Sequence, residues 1–398
     1  MPKSMWVLII AVVINVTGAS FLWPLNAVIM HDVLGQSLTA SGFVLMLNAA
    51  AGVTGNLIGG RLFDKVGVYP GLVAAITIAV ISSISLALFF ETYALYALFL
   101  VGIGLGSGMM MPSMYALAGS LWPDGGRRPF NAVYVAQNVG VSLGTALIAV
   151  ITLVRLTDVF IANALMYVGL LIFVVIFFRP FKAQQQTTAD ARLQQARTSF
   201  KKQYRLHALL LICAAFLICW IGYTQWQANV SVHMQVLGLP LPYYSLLWTI
   251  NGLLIVFAQP LVKWLIHKGK LSMKGQVTTG IIVFSISYLV LTQASAFSMF
   301  LCAMLILTLG EMFVWPAVPT IASQLAPPGK SGMYQGIVGS VSTGGRMIGP
   351  LFGGMIVDHY SMHVLLMIIS VLLLCALPLV RFYDCPLKKE KTEDVRLV

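Results

Sequence analysis

The sequence predicts an all-α integral membrane protein, with twelve transmembrane helices in two pseudo-symmetric six-helix bundles. Three observations carry that prediction. First, 59% of the 398 residues are hydrophobic and only 9% are charged, whereas a soluble domain is about 45–50% apolar and about 25% charged; the surplus has to face lipid. Second, apolar runs of roughly 20 residues recur along the chain, each long enough to cross a bilayer core of about 30 Å as a helix. Third, Lys and Arg alternate with these runs in a pattern that fixes an orientation.

The first run covers 5–30. It is too long for a signal-peptide core and no A-x-A-like cleavage site follows, which predicts a retained helix. Five more runs follow at 38–60, 70–90, 93–120, 130–154 and 158–178. The polar stretch 179–206, rich in Gln and basic residues, then reads as a solvated linker lying on the membrane surface. Six further runs cover 207–232, 243–266, 275–295, 298–325, 332–357 and 361–382. The expected organisation is therefore a first bundle at 1–178, a cytoplasmic linker at 179–206, a second bundle at 207–382 and a cytoplasmic tail at 383–398.

The net charge is +12, and its distribution argues against a nucleic-acid partner. With the N-terminus in the cytoplasm, 22 of the 24 Lys and Arg fall on the cytoplasmic side. Arg155 in an outer loop and Arg346 inside a span are the two others. The basic balance is thus topology. None of the five cysteines sits in a predicted outer loop, so no disulfide is expected.

Two short patterns echo each other. Gly140 and Gly144 in span 5, and Gly345 and Gly349 in span 11, are small-xxx-small pairs that let helix backbones approach closely. They suggest two related halves around a central site. After span 2, residues 59–67 read GGRLFDKVG. This reads as a tight cytoplasmic turn whose carboxylate caps or pairs with a neighbouring helix end.

That stretch resembles the loop signature of the major facilitator superfamily, G-x-x-x-D-R/K-x-G-R/K-R/K. Gly60, Asp64, Lys65 and Gly67 match it, while Val68 and Tyr69 stand where the basic pair would be. Within the superfamily the chain is similar to twelve-span drug/proton antiporters. Gly345, Gly349, Pro350, Gly353 and Gly354 reproduce their G-x-x-x-G-P-x-x-G-G pattern, in span 11 rather than span 5. Leu309-Gly310-Glu311 is similar to span 10 of several such exporters, where a mid-membrane Glu implies proton coupling and cation recognition.

The buried charges support the same direction. Of twelve acids, Glu311 is the only one placed deep in a span, and Arg346 is the only such base. A charge at the bilayer centre costs about 2.5–3.5 kcal/mol on insertion scales, so it faces a cavity or a partner. Removing a carboxylate from water favours its neutral form. One reading makes Glu311 a proton site with Arg346 tuning it or responding to substrate. The other makes them a fixed pair joining spans 10 and 11.

The resemblance implies that spans 1, 4, 7 and 10 line a central cavity. Candidate lining residues there are Asn15, Trp23 and Asn26; Ser107, Met111, Met114 and Tyr115; Trp220, Tyr223, Trp226 and Gln227; and Trp315. Trp248, Asn251 and Gln259 of span 8 join them with less support. Aromatic and Met-rich walls adapt to many lipophilic shapes, and aromatic faces attract cations. Ordinary packing is the competing reading for each.

The chain has no G-x-x-x-x-G-K-[ST] loop for ATP. A secondary transporter is expected, not an enzyme, with no cofactor beyond protons as coupling ion and no metal site. The expected activity is proton-coupled efflux of lipophilic or cationic compounds by alternating access, from a monomer in a bacterial plasma membrane. Its partners would be the small-molecule substrate and membrane lipid. A facilitator or importer of a small neutral or anionic metabolite, with Arg346 as anchor, is the alternative; a lipid flippase is a third.

Overall fold

The structure is a computed structural model that describes residues 1–22, 25–26, 29–154, 157–179, 181 and 204–385. Its helices are α1 (Lys3–Leu22), α2 (Leu38–Val66), α3 (Val68–Phe89), α4 (Tyr93–Leu121), α5 (Arg128–Val154), α6 (Asp158–Phe177), α7 (Tyr204–Gln225), α8 (Ser231–Val236), α9 (Leu241–Phe257), α10 (Gln259–Lys268), α11 (Met273–Thr292), α12 (Phe297–Leu325), α13 (Ser331–His359) and α14 (Met362–Phe382). A π-helical segment, Trp226–Val230, joins α7 to α8, and another occupies Ile29–Val33.

Among the described residues nine helical stretches are long and apolar enough to span a membrane, with α7 to α8 counted as one. Helices α9 and α10, bent by 58°, make a tenth. Pro260 lies just past the bend and has no N–H to give to the carbonyl four residues back. Helices α5 and α13 have 27 and 29 residues, long enough at about 1.5 Å per residue but richer in Ser, Thr, Asn, Gln and Gly. They complete the twelve expected spans.

Local chemistry sets the ends. The hydroxyls of Ser37, Ser272 and Ser361 accept from the backbone N–H groups of Ala40, Gly275 and Val364, capping α2, α11 and α14. Gly67, at φ 87°, turns the chain directly from α2 into α3, a conformation that suits a residue without Cβ. The stretch 59–67, expected as a loop, is helical through Val66. The run Arg61-Leu62-Phe63 continues the helix well, and Gly60 serves close packing instead of a turn.

Large apolar side chains point outward, among them Ile81, Leu88, Leu98, Leu165, Phe257, Leu351 and Val371. Asn15, Asn163, Gln225, Gln276 and Glu311 are buried instead. That inversion relative to a soluble protein is what a lipid solvent requires.

The chain divides into two compact units, Met1–Phe200 with Ala326–Thr343, and Lys201–Leu325 with Gly344–Val398. The first half of α13 therefore groups with the amino-terminal helices. In the first unit α2 lies backbone to backbone on α4. A Cβ on Gly108 would stand 2.9 Å from the Gly52 Cα, and one on Gly55 would stand 3.2 Å from the Gly108 Cα. The opposite side of α2 meets α13: Gly60 abuts the Gly332 carbonyl, and Gly336 abuts the Asn56 carbonyl.

The glycine echo has a counterpart in each unit. In the first, Gly140 and Gly144 lie against α1, and Thr17 Oγ1 donates to the Gly140 carbonyl at 3.2 Å. In the second, Gly345 and Gly349 lie against α7, and Gln225 Nε2 donates to the Gly349 carbonyl at 2.8 Å. The first helix of each half thus presses on the fifth.

Candidate functional site

Glu311 is the middle residue of the 29-residue α12, and every residue from Gly310 to Ala322 on that helix is buried. Its own side chain is 2% exposed. Two helices supply hydrogen bonds to it. Asn251 Nδ2 on α9 donates to Oε2 at 3.1 Å, and Tyr223 Oη on α7 donates to Oε1 at 3.4 Å. The same Asn251 amide donates at 2.8 Å to Thr308 Oγ1, which in turn donates to the Met304 carbonyl at 2.7 Å. The carboxyl is therefore held at the meeting point of α7, α9 and α12. Donors of this kind satisfy a carboxylate, and a protonated carboxyl keeps acceptor capacity for them.

Around this group the second unit builds an aromatic cluster. Trp315 stands one turn beyond Glu311 on α12. Its ring centroid is 4.9 Å from Trp220, 5.3 Å from Tyr223, 5.5 Å from Phe216 and 5.3 Å from Phe284. Trp248 of α9 meets Tyr223 edge-on at 5.8 Å. Arg346, near the middle of α13, places its guanidinium 5.1 Å from the Trp220 ring centroid, inside the range of a cation–π contact. The two mid-membrane charges singled out from the sequence thus belong to one cluster. Gln227 lies in the π segment, half-buried, its carbonyl accepting from Tyr244 Oη at 3.5 Å. Trp226 is wholly buried in the core.

The first unit holds a smaller polar cluster. Asn15 Nδ2 and Gln137 Nε2 both donate to Met111 Sδ, at 3.7 and 3.8 Å, and Tyr115 Oη donates to Gln137 Oε1 at 3.0 Å. Tyr115 also stacks on Phe130, 6.4 Å between centroids. Asn26 is buried and accepts from Tyr96 Oη at 2.8 Å. Met114, expected on the same face as Met111 and Tyr115, is fully buried in the core, while Ser107 turns its hydroxyl onto the Gly104 carbonyl.

Asp64 of the 59–67 stretch has partners far along the chain. Its Oδ1 accepts from Gly332 N and its Oδ2 from Met333 N, each at 2.7 Å. These are first-turn N–H groups of α13, which have no intrahelical acceptor, and the positive end of the helix dipole favours an anion there. Gly60, one turn earlier, lets the two backbones come close enough for this contact. Lys65 is exposed in the last turn of α2, and Gly67 is its C-cap.

Sequence reasoning missed Gln137 and underweighted Asn251. Both are lone amides inside apolar runs, and that is the signal by which each is recognisable. Trp23, Arg155, nearly all of the 179–206 linker and the tail beyond Cys385 lie outside the described residues. Among the described residues no group of three or more His, Cys, Asp and Glu is disposed to hold a metal.

Comparisons with known proteins bear on the whole chain. The profile of the Major Facilitator Superfamily matches residues 8–347 and again 274–396. The chain is 46% identical over 391 residues to YttB, an uncharacterized MFS-type transporter of Bacillus subtilis (strain 168), with 98% of both chains covered. It is 25% identical to YqjV of the same organism, likewise an uncharacterized MFS-type transporter, over 98% of this chain and 95% of the other. Among solved structures it is similar in fold to the proton:xylose symporter XylE, with a TM-score of 0.75, 14% identity and 94% of each chain covered. The human organic anion transporter MFSD10 gives a TM-score of 0.71 at 16% identity, covering 96% of this chain and 100% of that one.

Proposed function

The chain belongs to the major facilitator superfamily and is a membrane transporter of small molecules, not an enzyme, and on that premise we propose that it exports lipophilic cations in exchange for protons. One observation carries the proposal: Glu311, the one buried acid among the described residues, is held by Tyr223 and Asn251 at the edge of a cluster of Trp and Tyr rings. Such a group can be neutral or charged, and the rings beside it suit a delocalised cation. In the proposed cycle Glu311 takes a proton from outside. It releases that proton inward as a cationic substrate binds from the cytoplasm, and alternating access carries each to the other side. The Asp64 cap on α13 would stabilise the outward-open arm of that cycle. The protein would act as a monomer in the plasma membrane with both termini in the cytoplasm, with the proton as its only coupling partner.

A second reading, uptake of a small neutral or anionic metabolite, draws on Arg346, a cation on the same cluster. Reconstituted vesicles separate the two. With an imposed pH gradient, acidic on the side from which protons enter, the wild type should move a fluorescent lipophilic cation against that proton flow. Glu311→Gln should reduce this by at least about tenfold, the equivalent of 1.4 kcal/mol. Gradient-driven transport by Glu311→Gln at the wild-type rate would end the coupling assignment. Transport of an organic anion that is lost in Arg346→Ala but kept in Glu311→Gln would favour the second reading.

A further inference from the structure

The proposed cycle leaves Arg346 without a role, although it shares the cluster with Glu311. Its guanidinium lies over the Trp220 face at 5.1 Å. Trp220 packs edge-on to Tyr223 at 5.5 Å and against Trp315 at 4.9 Å, and Tyr223 donates to Glu311. Gly345, the residue before Arg346, lies against the Trp220 Cβ, so the α13 backbone passes close to Trp220 at the point from which the arginine departs. A planar, weakly hydrated cation on an indole face is what such a ring would hold if a delocalised substrate cation arrived. Two cations cannot share one ring face in a region of low dielectric, where their repulsion is strong.

We infer that Arg346 is a tethered placeholder: its guanidinium covers the Trp220 face on which a cationic substrate binds, and the substrate must displace it. The inference rests on the reading of the substrate as a lipophilic cation. It adds a selectivity rule. Flat or aryl-substituted cations, which outcompete a guanidinium for an aromatic face and bring apolar surface with them, are accepted. Small, strongly hydrated ammonium ions do not displace the arginine.

The test is equilibrium binding of tetraphenylphosphonium to the full-length protein in lipid nanodiscs with no gradient imposed, by calorimetry or tryptophan quenching. Arg346→Gln and Arg346→Met both remove the charge, so either suffices if the other does not fold, as judged by thermal unfolding. Each should bind about tenfold tighter than wild type, since removing a competitor worth about 1.4 kcal/mol yields that factor. Arg346→Lys, which keeps a cation, should stay within about threefold of wild type. Adding Trp220→Leu to Arg346→Gln should cancel the gain. Unchanged or weaker binding by both charge-removing variants, with the wild type still binding, overturns the placeholder and leaves cation export standing. Absence of binding in every variant, wild type included, overturns both. Tighter binding by Arg346→Gln together with wild-type transport by Glu311→Gln keeps the placeholder and removes the proton coupling alone.

Discussion

Asn251 offers two amide N–H bonds, and both are engaged, one on Glu311 and one on Thr308. Replacing it with Leu leaves buried oxygens short of a donor, and an unsatisfied buried acceptor costs about 1–3 kcal/mol. Asn251→Leu is therefore expected to lower the thermal midpoint in detergent. It should also change the pH dependence of transport, because the charged form of Glu311 loses a donor. A lower midpoint with an unaltered pH profile would make Asn251 a packing residue only. Glu311 was legible in the sequence because one acid in an apolar run has few explanations. Its partners were not, since Tyr223 and Asn251 lie 88 and 60 residues away in sequence, and only folding decides which faces of α7 and α9 meet α12. The same holds for Gln137, whose two contacts reach Met111 and Tyr115 on another helix.

At the scale of elements, the contact between Asp64 and α13 ties together two helices whose bonded residues lie 268 and 269 positions apart. A carboxylate on two backbone N–H groups makes charge-assisted bonds worth about 1.5–3 kcal/mol each. Asp64→Ala removes both bonds and the favourable charge at the helix end. Transport should fall at least about tenfold, the effect of 1.4 kcal/mol on an equilibrium, with the folded protein still recovered from membranes. Asp64→Asn keeps one acceptor and should fall between. Activity of Asp64→Ala equal to wild type would show that the cap stabilises α13 without serving the transport cycle. The motif residues were legible as a group from their spacing. Their secondary structure was not: glycines on both sides suggested a turn, whereas only Gly67 turns and Gly60 is a packing residue inside α2. The sharp break between α9 and α10 likewise leaves only Pro260 as its trace in the sequence.

For the whole molecule, the number of spans followed from hydropathy, while the expected orientation rests on the placement of Lys and Arg alone. Helix α13 is the most polar of the twelve, carrying Arg346 and many Ser, Thr and Gly residues, yet it and α5 were both legible as runs, at 332–357 and 130–154. Hydropathy reports nothing of packing partners, so the grouping of residues 326–343 with the amino-terminal helices was not foreseeable. Orientation is testable in a variant whose five native cysteines are replaced. Thr92→Cys and Asp124→Cys both sit at exposed positions between helices. In intact cells a membrane-impermeant maleimide should label the first and spare the second. Labelling of Asp124→Cys without lysis would invert the assignment.

Helix α2 is gripped on two sides by backbone, by α4 at Gly52, Gly55 and Gly59 and by α13 at Gly60. This has a consequence for inheritance. A glycine codon can mutate by one nucleotide only to a synonym, a stop or a residue with a Cβ. At Gly55, Gly59 and Gly60 a Cβ would collide with the backbone of a neighbouring helix, which cannot yield as a flexible side chain would. A lipid-facing Leu or Ile on the same helix can drift to Val, Met or Phe and still meet hydrocarbon. Helix α2 therefore carries two kinds of positions side by side, one with many harmless descendants and one with almost none.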